Sequence, residues 1–141
     1  MQFRTQIQIE PSTLRLNHSN RVLMIGSCFS EHIAERMVCA GFHVANNPFG
    51  ILFNPASIAA TIERLASGKF YTIDDLLNNN DRWFSYDFHG DFAARSAESA
   101  LTKMNRAVEQ GAEALAAADC VVLTLGTSWI YRLRTGGVVV N

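Results

Sequence analysis

Two short apolar runs stand out in the hydrophobic pattern of the chain, and a glycine ends each of them. Residues 21–25 read Arg-Val-Leu-Met-Ile before Gly26, and residues 120–125 read Cys-Val-Val-Leu-Thr-Leu before Gly126. Continuous apolar runs of this length are typical of strands that are buried on both faces of a parallel sheet. The pattern therefore predicts two buried strands that are parallel to each other and belong to the same sheet.

The chain between these two runs carries helical periodicity. Ser30 is predicted to cap a first helix, which Gly41 would end. A second helix is predicted from Asn54, which is followed by proline at the first helical position, to Gly68. Residues 99–117 are rich in alanine and place apolar side chains on one face, as a long amphipathic helix does. Helices that alternate with buried strands predict an α/β fold with a largely parallel sheet.

Weaker patterns predict smaller elements around this framework. Alternation and β-branched residues indicate strands, and clusters of asparagine, aspartate and glycine indicate turns. The aromatic segment 83–92 is irregular, and a strand with a loop is the expected structure. The other predicted elements are an edge strand at 6–9, a strand at 42–45, a short capped helix at 72–76, a polar turn at 78–81 and a β-hairpin formed by 130–133 and 138–140.

Composition and charge narrow the classes of function. The chain has 141 residues, of which 18% are charged, and its formal net charge is -1. No basic stripe is present, which argues against nucleic acid as a partner. No apolar run reaches the roughly 20 residues of a membrane-spanning helix, and the first residues are too polar for a signal peptide. We therefore expect a protein without a nucleic-acid or membrane partner.

The number and spacing of the cysteines indicate the redox environment of the protein. Cys28, Cys39 and Cys120 are an odd number and include no Cys-x-x-Cys pair. This usage indicates neither a disulfide framework nor a zinc knuckle. It favours a reducing, cytoplasmic setting. The dinucleotide fingerprint is missing, since only Gly26 of its three glycines is present, and no cofactor is expected.

The first glycine turn, Gly26-Ser27-Cys28-Phe29, has the pattern of a nucleophile turn. A tight turn between a strand and a helix lifts a side chain above the sheet edge, and the helix N-terminus stabilises negative charge beside it. Ser27 or Cys28 would then be the attacking group. The alternative is structural: Ser27 and Ser30 cap the helix, and Cys28 fills a small space.

Two further turns carry groups that suit an oxyanion hole. A glycine in Asn47-Pro48-Phe49-Gly50 lets backbone N–H groups approach an oxyanion, and Ser128 in the turn after 120–125 supplies a hydroxyl donor. Because ligands bind beyond the carboxyl ends of parallel strands, we expect Ser27, Gly50 and Ser128 to converge at one sheet edge. Plain turns are the alternative at both places. The oxyanion and substrate-binding candidates are Asn47, Gly50, Gly126 and Ser128.

Asp87, His89 and Asp91 are separated by single residues. In an extended segment such alternation puts the three side chains on one side, where they would orient a base or hold a metal ion. A solvated loop histidine is the commoner situation. Cys28 and His32 lie four residues apart at a helix start, but two ligands without a third do not make a metal site, and no metal is expected.

Four segments together resemble the GSCFA family. Gly26-Ser27-Cys28-Phe29-Ser30 looks like its signature, with Ser30 where the signature has alanine. The other three are residues 47–55, 83–92 and 123–129. The family is similar to the SGNH/GDSL hydrolases. The resemblance implies a three-layer α/β/α sandwich of the SGNH-hydrolase, flavodoxin-like type, with a largely parallel sheet. Residues 1–141 would be the N-terminal, incomplete portion of a single domain of this kind.

The similarity to SGNH hydrolases implies a role for each matching residue. Their Gly-Asp-Ser-Leu block aligns without a gap on 26–29, which puts Ser27 at the aspartate and Cys28 at the nucleophilic serine. A shift of one residue would make Ser27 the nucleophile. The second-block glycine corresponds to Gly50, and Ser128 stands in place of the oxyanion-hole asparagine.

The last SGNH block, Asp-x-x-His, is absent from this sequence. The resemblance therefore implies a base beyond Asn141, with His89 as the alternative catalytic base. The implied activity is hydrolysis of a small-molecule O-acyl ester, including carbohydrate-linked ones, by acyl transfer through Cys28 or Ser27. The replacements at Cys28 and Ser128 motivate a second hypothesis, a non-catalytic ligand-binding module on the same fold. A thiol-based redox or metal protein that uses Cys28 is the third.

Overall fold

The computed structural model describes residues 7–134 and 136–141. Within these residues, helices and strands alternate over most of the chain, as the pattern predicts. The helices are α1 (Cys28–Cys39), α2 (Pro55–Ser67) and α3 (Ala97–Ala117), and the strands are β1 (Arg21–Gly26), β2 (His43–Asn46), β3 (Leu77–Asn79), β4 (Arg82–Phe84), β5 (Cys120–Thr124), β6 (Tyr131–Arg132) and β7 (Val139–Val140).

A parallel sheet in the order β2-β1-β5 forms the centre of the molecule. Arg21 of β1 lies opposite His43 of β2, and Val22 lies opposite Cys120 of β5. The prediction that the two apolar runs are parallel members of one sheet is confirmed, and the two strands are neighbours in it. The chain is therefore an α/β protein with a small parallel sheet.

β1 is the central strand and is covered on both faces. Leu23 and Ile25 are fully buried in a core that also contains residues of α2 and α3. Val22 and Met24 belong to a second cluster, in which they pack with residues of α1. This division follows from strand geometry, which sends successive side chains to opposite faces of the sheet. Four consecutive buried apolar side chains thus anchor β1 between helices.

The prediction that residues 120–125 form a strand buried on both faces is wrong. Val122 packs against the cluster on the α1 side, but Val121 and Leu123 are 41% and 48% exposed. Among the described residues, no β5 side chain packs into the core that α2 and α3 form with β1. β5 lies at an edge of the sheet, and these two helices do not pack over it. Its apolar composition therefore does not decide its burial, because burial depends on what packs above the strand.

The second and third helices follow the prediction closely. Asn54 Oδ1 accepts a hydrogen bond from Ser57 N–H at 2.8 Å, and Gly68 ends α2 with a φ of +61°. α3 begins two residues earlier than predicted, and Ser96 caps it through Ser99 N–H at 3.2 Å. No helix in the described chain combines the length and apolar composition that a membrane span requires.

The first helix starts earlier than predicted. α1 begins at Cys28, and Ser27 occupies the N-cap position, because the chain turns directly from the end of β1 into the helix. The prediction of Ser30 as the N-cap is therefore wrong. Ser30 is a buried residue of the first turn, and its hydroxyl donates to Asn46 Oδ1 at 3.3 Å.

Several smaller elements refine the prediction. Residues 7–9 are exposed and form no strand, and residue 6 lies outside the described chain. Residues 78–81, predicted as a turn alone, belong to a hairpin: β3 pairs antiparallel with β4, and Asn80 and Asp81 connect them with positive φ. The short helix within 72–76 is confirmed as a 3-10 turn, and β6 and β7 pair as the predicted hairpin.

Candidate functional site

The carboxyl ends of β1, β2 and β5 meet at one edge of the parallel sheet. Gly26 N–H donates to Asn47 Oδ1 at 2.8 Å, and Asn47 N–H donates to the Met24 carbonyl at 2.8 Å, which ties the end of β1 to the end of β2. On the other side, Ser27 N–H donates to the carbonyl of Thr124 at 3.1 Å and to its hydroxyl at 3.0 Å. The turn after β1 is therefore fixed from both neighbouring strands.

Gly26 is required at this turn by both conformation and space. Its φ of +149° is a backbone conformation that residues with a side chain rarely adopt. A Cβ at this position would lie 2.2 Å from the Thr124 carbonyl oxygen and 2.5 Å from Thr124 Oγ1. The close approach of the ends of β1 and β5 thus depends on a glycine.

Ser27 and Cys28 differ in exposure although they are adjacent. Ser27 is 7% exposed, its hydroxyl lies 3.3 Å from the Thr124 hydroxyl, and it makes no side-chain capping bond. Cys28 is the first residue of α1 and is exposed to solvent. Cys28 N–H has no acceptor among the described residues, so this donor is free at the helix N-terminus. At this turn, therefore, Cys28 is accessible to solvent, whereas Ser27 is buried.

The turn Asn47-Pro48-Phe49-Gly50 lies beside the end of β1. Asn47 is buried with a φ of +43°, and its Nδ2 is the one buried side-chain nitrogen or oxygen without a partner in the described structure. A buried donor without an acceptor costs free energy, which makes this atom a candidate for contact with a ligand. Gly50 N–H, predicted as an oxyanion donor, donates to the Asn47 carbonyl at 2.8 Å. It can reach an oxyanion only if this turn opens.

His89 packs directly on Gly50. A Cβ at Gly50 would lie 2.4 Å from His89 Cβ, and His89 N–H donates to the Phe49 carbonyl at 2.9 Å. His89 Nδ1 lies 3.0 Å from Asp91 Oδ2. In such a pair the carboxylate orients the imidazole and leaves Nε2 for acid–base chemistry. No hydrogen bond joins His89 to Cys28 within residues 7–134 and 136–141.

The predicted grouping of Asp87 with His89 and Asp91 is wrong. Residues 90–92 form a 3-10 turn, which breaks the alternation, and Asp87 accepts a hydrogen bond from the Tyr71 hydroxyl at 2.8 Å instead. Burial raises the pKa of Tyr71, and the negative charge of Asp87 raises this pKa further. In the described part of the chain, no three histidine, cysteine, aspartate or glutamate side chains form a group that could hold a metal ion.

The other three histidines occupy different places. His43 begins β2 and therefore lies at the opposite edge of the sheet from the strand ends. His18 Nε2 lies 3.0 Å from the Ala40 carbonyl, at the far end of α1. His32 lies on α1 and faces a glutamate of the same helix at 3.8 Å. His89 is thus the histidine that packs on a turn at the strand ends.

The second glycine turn is held against the segment before α2. Gly126 N–H and Thr127 N–H donate to the Phe53 carbonyl at 2.9 and 3.1 Å. A Cβ at Gly126 would lie 2.8 Å from Phe53 Cδ1 and 3.3 Å from Ser27 Cβ, so the two glycine turns are close neighbours. Ser128 is exposed, and its hydroxyl bonds to no described residue. No helix follows this turn, since β6 is the next element.

The structure thus brings some of the predicted residues together. Asn47 bonds to Gly26, Gly126 lies against Ser27, and His89 lies on the Gly50 turn. Convergence of Ser128 with Cys28 stays a prediction, because no hydrogen bond joins them. The role of Thr124 in fixing the first turn is not foreseen in the sequence. A hydroxyl at the end of an apolar run is the signal, since a polar side chain there can bond the neighbouring strand end.

Comparison with known proteins places the chain in one family. The family model described as GSCFA matches residues 21–141, which span β1, its glycine turn and every later element. No curated protein and no solved structure matches the chain. Because the match covers most of the chain, the resemblance carried by the four sequence segments is confirmed, and the chain belongs to the GSCFA family.

Proposed function

We propose that the chain carries the nucleophile turn of a hydrolase of small O-acyl esters, with Cys28 as the nucleophile. The observation that carries this proposal is the contrast between exposed Cys28 at the start of α1 and buried Ser27 beside Thr124. The proposed fold is the SGNH-type three-layer sandwich, and the helices on both faces of β1 support it. The proposal rests on this site, because a fold or family does not by itself define a reaction.

The proposed reaction is acyl transfer through a thioester. The Cys28 thiolate attacks the ester carbonyl and displaces the alcohol, which takes up the proton released by the thiol. Water then attacks the carbonyl carbon of the thioester that Cys28 Sγ carries. The acyl group leaves as the carboxylic acid, and a proton from water restores the thiol. Negative charge develops on the carbonyl oxygen in both steps. The free N–H group and the dipole at the N-terminus of α1 stabilise that charge.

Three groups are the proposed oxyanion donors. Cys28 N–H is the first, since it has no acceptor in the described structure. The exposed hydroxyl of Ser128 is the second. The unpartnered Nδ2 of Asn47 is the third, and it is buried, so it reaches the oxyanion only when the turn 47–50 moves. Gly50 N–H joins them only when its bond to the Asn47 carbonyl opens. Substrate binding therefore has to remodel the turn before Gly50 takes this role.

Complete turnover also needs a base. His89, oriented by Asp91 at 3.0 Å, is the candidate base within the described residues. It is not bonded to Cys28, so it does not assist the thiol in the geometry observed. We therefore expect this chain to form the thioester with an activated ester and to hydrolyse it slowly.

Nitrophenyl acetate tests the proposal, because its leaving group needs no proton donor. We expect rapid release of nitrophenolate followed by slow turnover. Cys28→Ala should abolish the rapid phase, and the matched variant Ser27→Ala should retain it. A rapid phase that persists in Cys28→Ala would contradict the proposal. Robust turnover that is lost in His89→Ala would instead assign the base to His89.

A non-catalytic ligand-binding module on the same fold is the second candidate. The engagement of Gly50 N–H by Asn47, and the absence of a bond between Cys28 and a histidine in the described structure, favour it. No nitrophenolate release above the Cys28→Ala background, together with saturable binding of a non-hydrolysable ester analogue, would support it. In either case the proposed ligand is a small-molecule ester, including carbohydrate-linked ones. The proposed setting is the reducing cytoplasm, where exposed Cys28 and Cys39 stay reduced.

A further inference from the structure

A cleft of about 530 Å³ lies between α3 and the end of β2. We call it the α3 cleft. Lys103, Arg106 and Gln110 of α3 form one wall, and Asn46 and Asn47 contribute to the other. The remaining lining is largely apolar and includes an aromatic ring and several alanines. Its volume and its mixture of apolar surface with a few polar groups are typical of small-molecule sites.

The wall formed by α3 carries positive charge. Lys103 and Arg106 are three residues apart and therefore lie on the same face of the helix. Neither forms an ion pair with any residue that the structure describes. Asp91 also lines the α3 cleft, but its carboxylate is paired with His89 at 3.0 Å. The lining thus has two unpaired cations and one carboxylate that is already engaged.

The two charged groups of the α3 wall are hydrogen-bond donors. The Asn46 side chain faces α1, where its Oδ1 accepts from the Ser30 hydroxyl at 3.3 Å, and Asn47 Nδ2 is buried, so neither amide donates into the cleft in the observed geometry. The ammonium group of Lys103 and the guanidinium group of Arg106 are donors only, and a ligand that bonds to them must supply acceptors. A charged acceptor with two or more oxygens, such as a carboxylate or a phosphate, meets this demand best.

We propose that the α3 cleft binds a small ligand with an anionic group of the carboxylate or phosphate class. The anionic group lies between Lys103 and Arg106, and the apolar part of the ligand packs against Phe92. Cys28 takes no part in this binding. The α3 cleft shares only Asn47 and Asp91 with the proposed acyl-transfer site. The variants that test anion binding change neither of these residues, so the result does not depend on the esterase proposal.

Titration of the ¹⁵N-labelled chain followed by NMR tests the proposal, with sodium phosphate and sodium benzoate as separate probes at constant ionic strength. We expect saturable shifts of the amide signals of 45–47 and 103–111. The double variant Lys103→Gln/Arg106→Gln should weaken binding by about tenfold or more, because charge-assisted hydrogen bonds are lost. Arg36→Gln is the matched control. It removes an exposed cation from α1, away from the α3 cleft, and should leave the affinity unchanged.

Each outcome decides the proposal. Saturable binding of one probe alone sustains it and identifies the class of anion. Shifts that do not saturate with either probe, or equal weakening by Arg36→Gln and the double variant, overturn it. Lys103 and Arg106 are exposed, so both variants should keep the unfolding midpoint of the wild type. Should the double variant be destabilised, Lys103→Gln alone gives the comparison, with a smaller expected loss of affinity.

Discussion

Two strand ends in this chain are alike in sequence and differ in structure. β1 runs into Gly26-Ser27-Cys28, and β5 runs into Gly126-Thr127-Ser128. β1 is buried on both faces and its turn opens a helix, whereas β5 is exposed on one face and its turn continues as a loop. The two turns are close neighbours at the sheet edge, but only the first one leads into a helix, with an exposed thiol at its N-terminus.

The difference shows that place in the sheet, and the element that follows, determine what a glycine turn can do. The β1 turn is bonded to β2 through Asn47 and to β5 through Thr124, so it is held rigidly under Cys28. The β5 turn is bonded to one segment, through the Phe53 carbonyl. A pre-organised turn suits the attacking group, and a supporting turn suits a hydrogen-bond donor.

The largest expected effect concerns catalysis. Cys28→Ala should remove the rapid acylation phase, a loss on the order of 10⁴-fold or more, because the attacking atom is gone. Ser128→Ala in the second turn should slow this phase by about a hundredfold, as loss of one oxyanion donor does. Stopped-flow absorbance of nitrophenolate measures both rates. Equal rates in the two variants would contradict the proposed roles, in which the first turn carries the nucleophile and the second turn carries an oxyanion donor.

Substitution of each glycine by alanine should lower the unfolding free energy by different amounts in the two turns. Gly26→Ala forces a Cβ against the Thr124 carbonyl in a strained backbone conformation, and should cost on the order of 4 kcal/mol of unfolding free energy. Gly126→Ala meets Phe53 Cδ1 at 2.8 Å, a side-chain atom that can move, and should cost about 1 kcal/mol. Urea unfolding followed by circular dichroism gives both values. A larger loss for Gly126→Ala would mean that the second turn is the tighter one.

Truncation of one leucine in each strand tests the difference in burial. Leu23 in β1 is fully buried, and Leu23→Ala should cost about 3 kcal/mol through lost burial and a cavity. Leu123 in β5 is 48% exposed, and Leu123→Ala should cost less than about 1 kcal/mol. The same urea unfolding compares them. Similar losses would show that β5 is covered in solution.

The smallest effect concerns the hydroxyls that support the turns. Thr124 Oγ1 accepts from Ser27 N–H, so Thr124→Val should cost about 1 kcal/mol in the buried first turn. Thr127 Oγ1 accepts from Trp129 N–H in the exposed second turn, and Thr127→Val should cost about half as much. Thermal unfolding midpoints rank the two variants. The reverse ranking would argue against a supporting role for Thr124.

The main elements of the fold are predictable because local chemistry defines them. Asn54 and Gly68 determine the ends of α2 by capping, and the apolar runs define β1 and β5. The burial of β5 is not predictable from its residues. It depends on where α2 and α3 pack, which is a long-range property of the chain. The same holds for Ser30, whose hydroxyl bonds to a residue of β2 instead of capping α1.

The candidate site is predictable in its parts and not in its connections. The glycine turns identify Cys28, Asn47 and Ser128 as residues at strand ends. The sequence does not show that Asn47 Oδ1 binds Gly26 N–H, or that His89 packs on Gly50, because the bonded partners are distant in the chain. The separation of Asp87 from His89 also depends on a tertiary contact, the bond from Tyr71.

The most direct test of the account is to locate the acetyl group after brief exposure of the chain to nitrophenyl acetate. Cys28 and Cys39 are both exposed and stand at opposite ends of α1, so each chain contains its own control. Peptide mass spectrometry should find acetyl on Cys28 on the order of 10⁴-fold faster than on Cys39, because the helix N-terminus and the proposed oxyanion donors favour the negative charge of the reaction, whereas the helix C-terminus opposes it. Acetylation of Ser27, or equal rates at Cys28 and Cys39, would contradict Cys28 as the nucleophile.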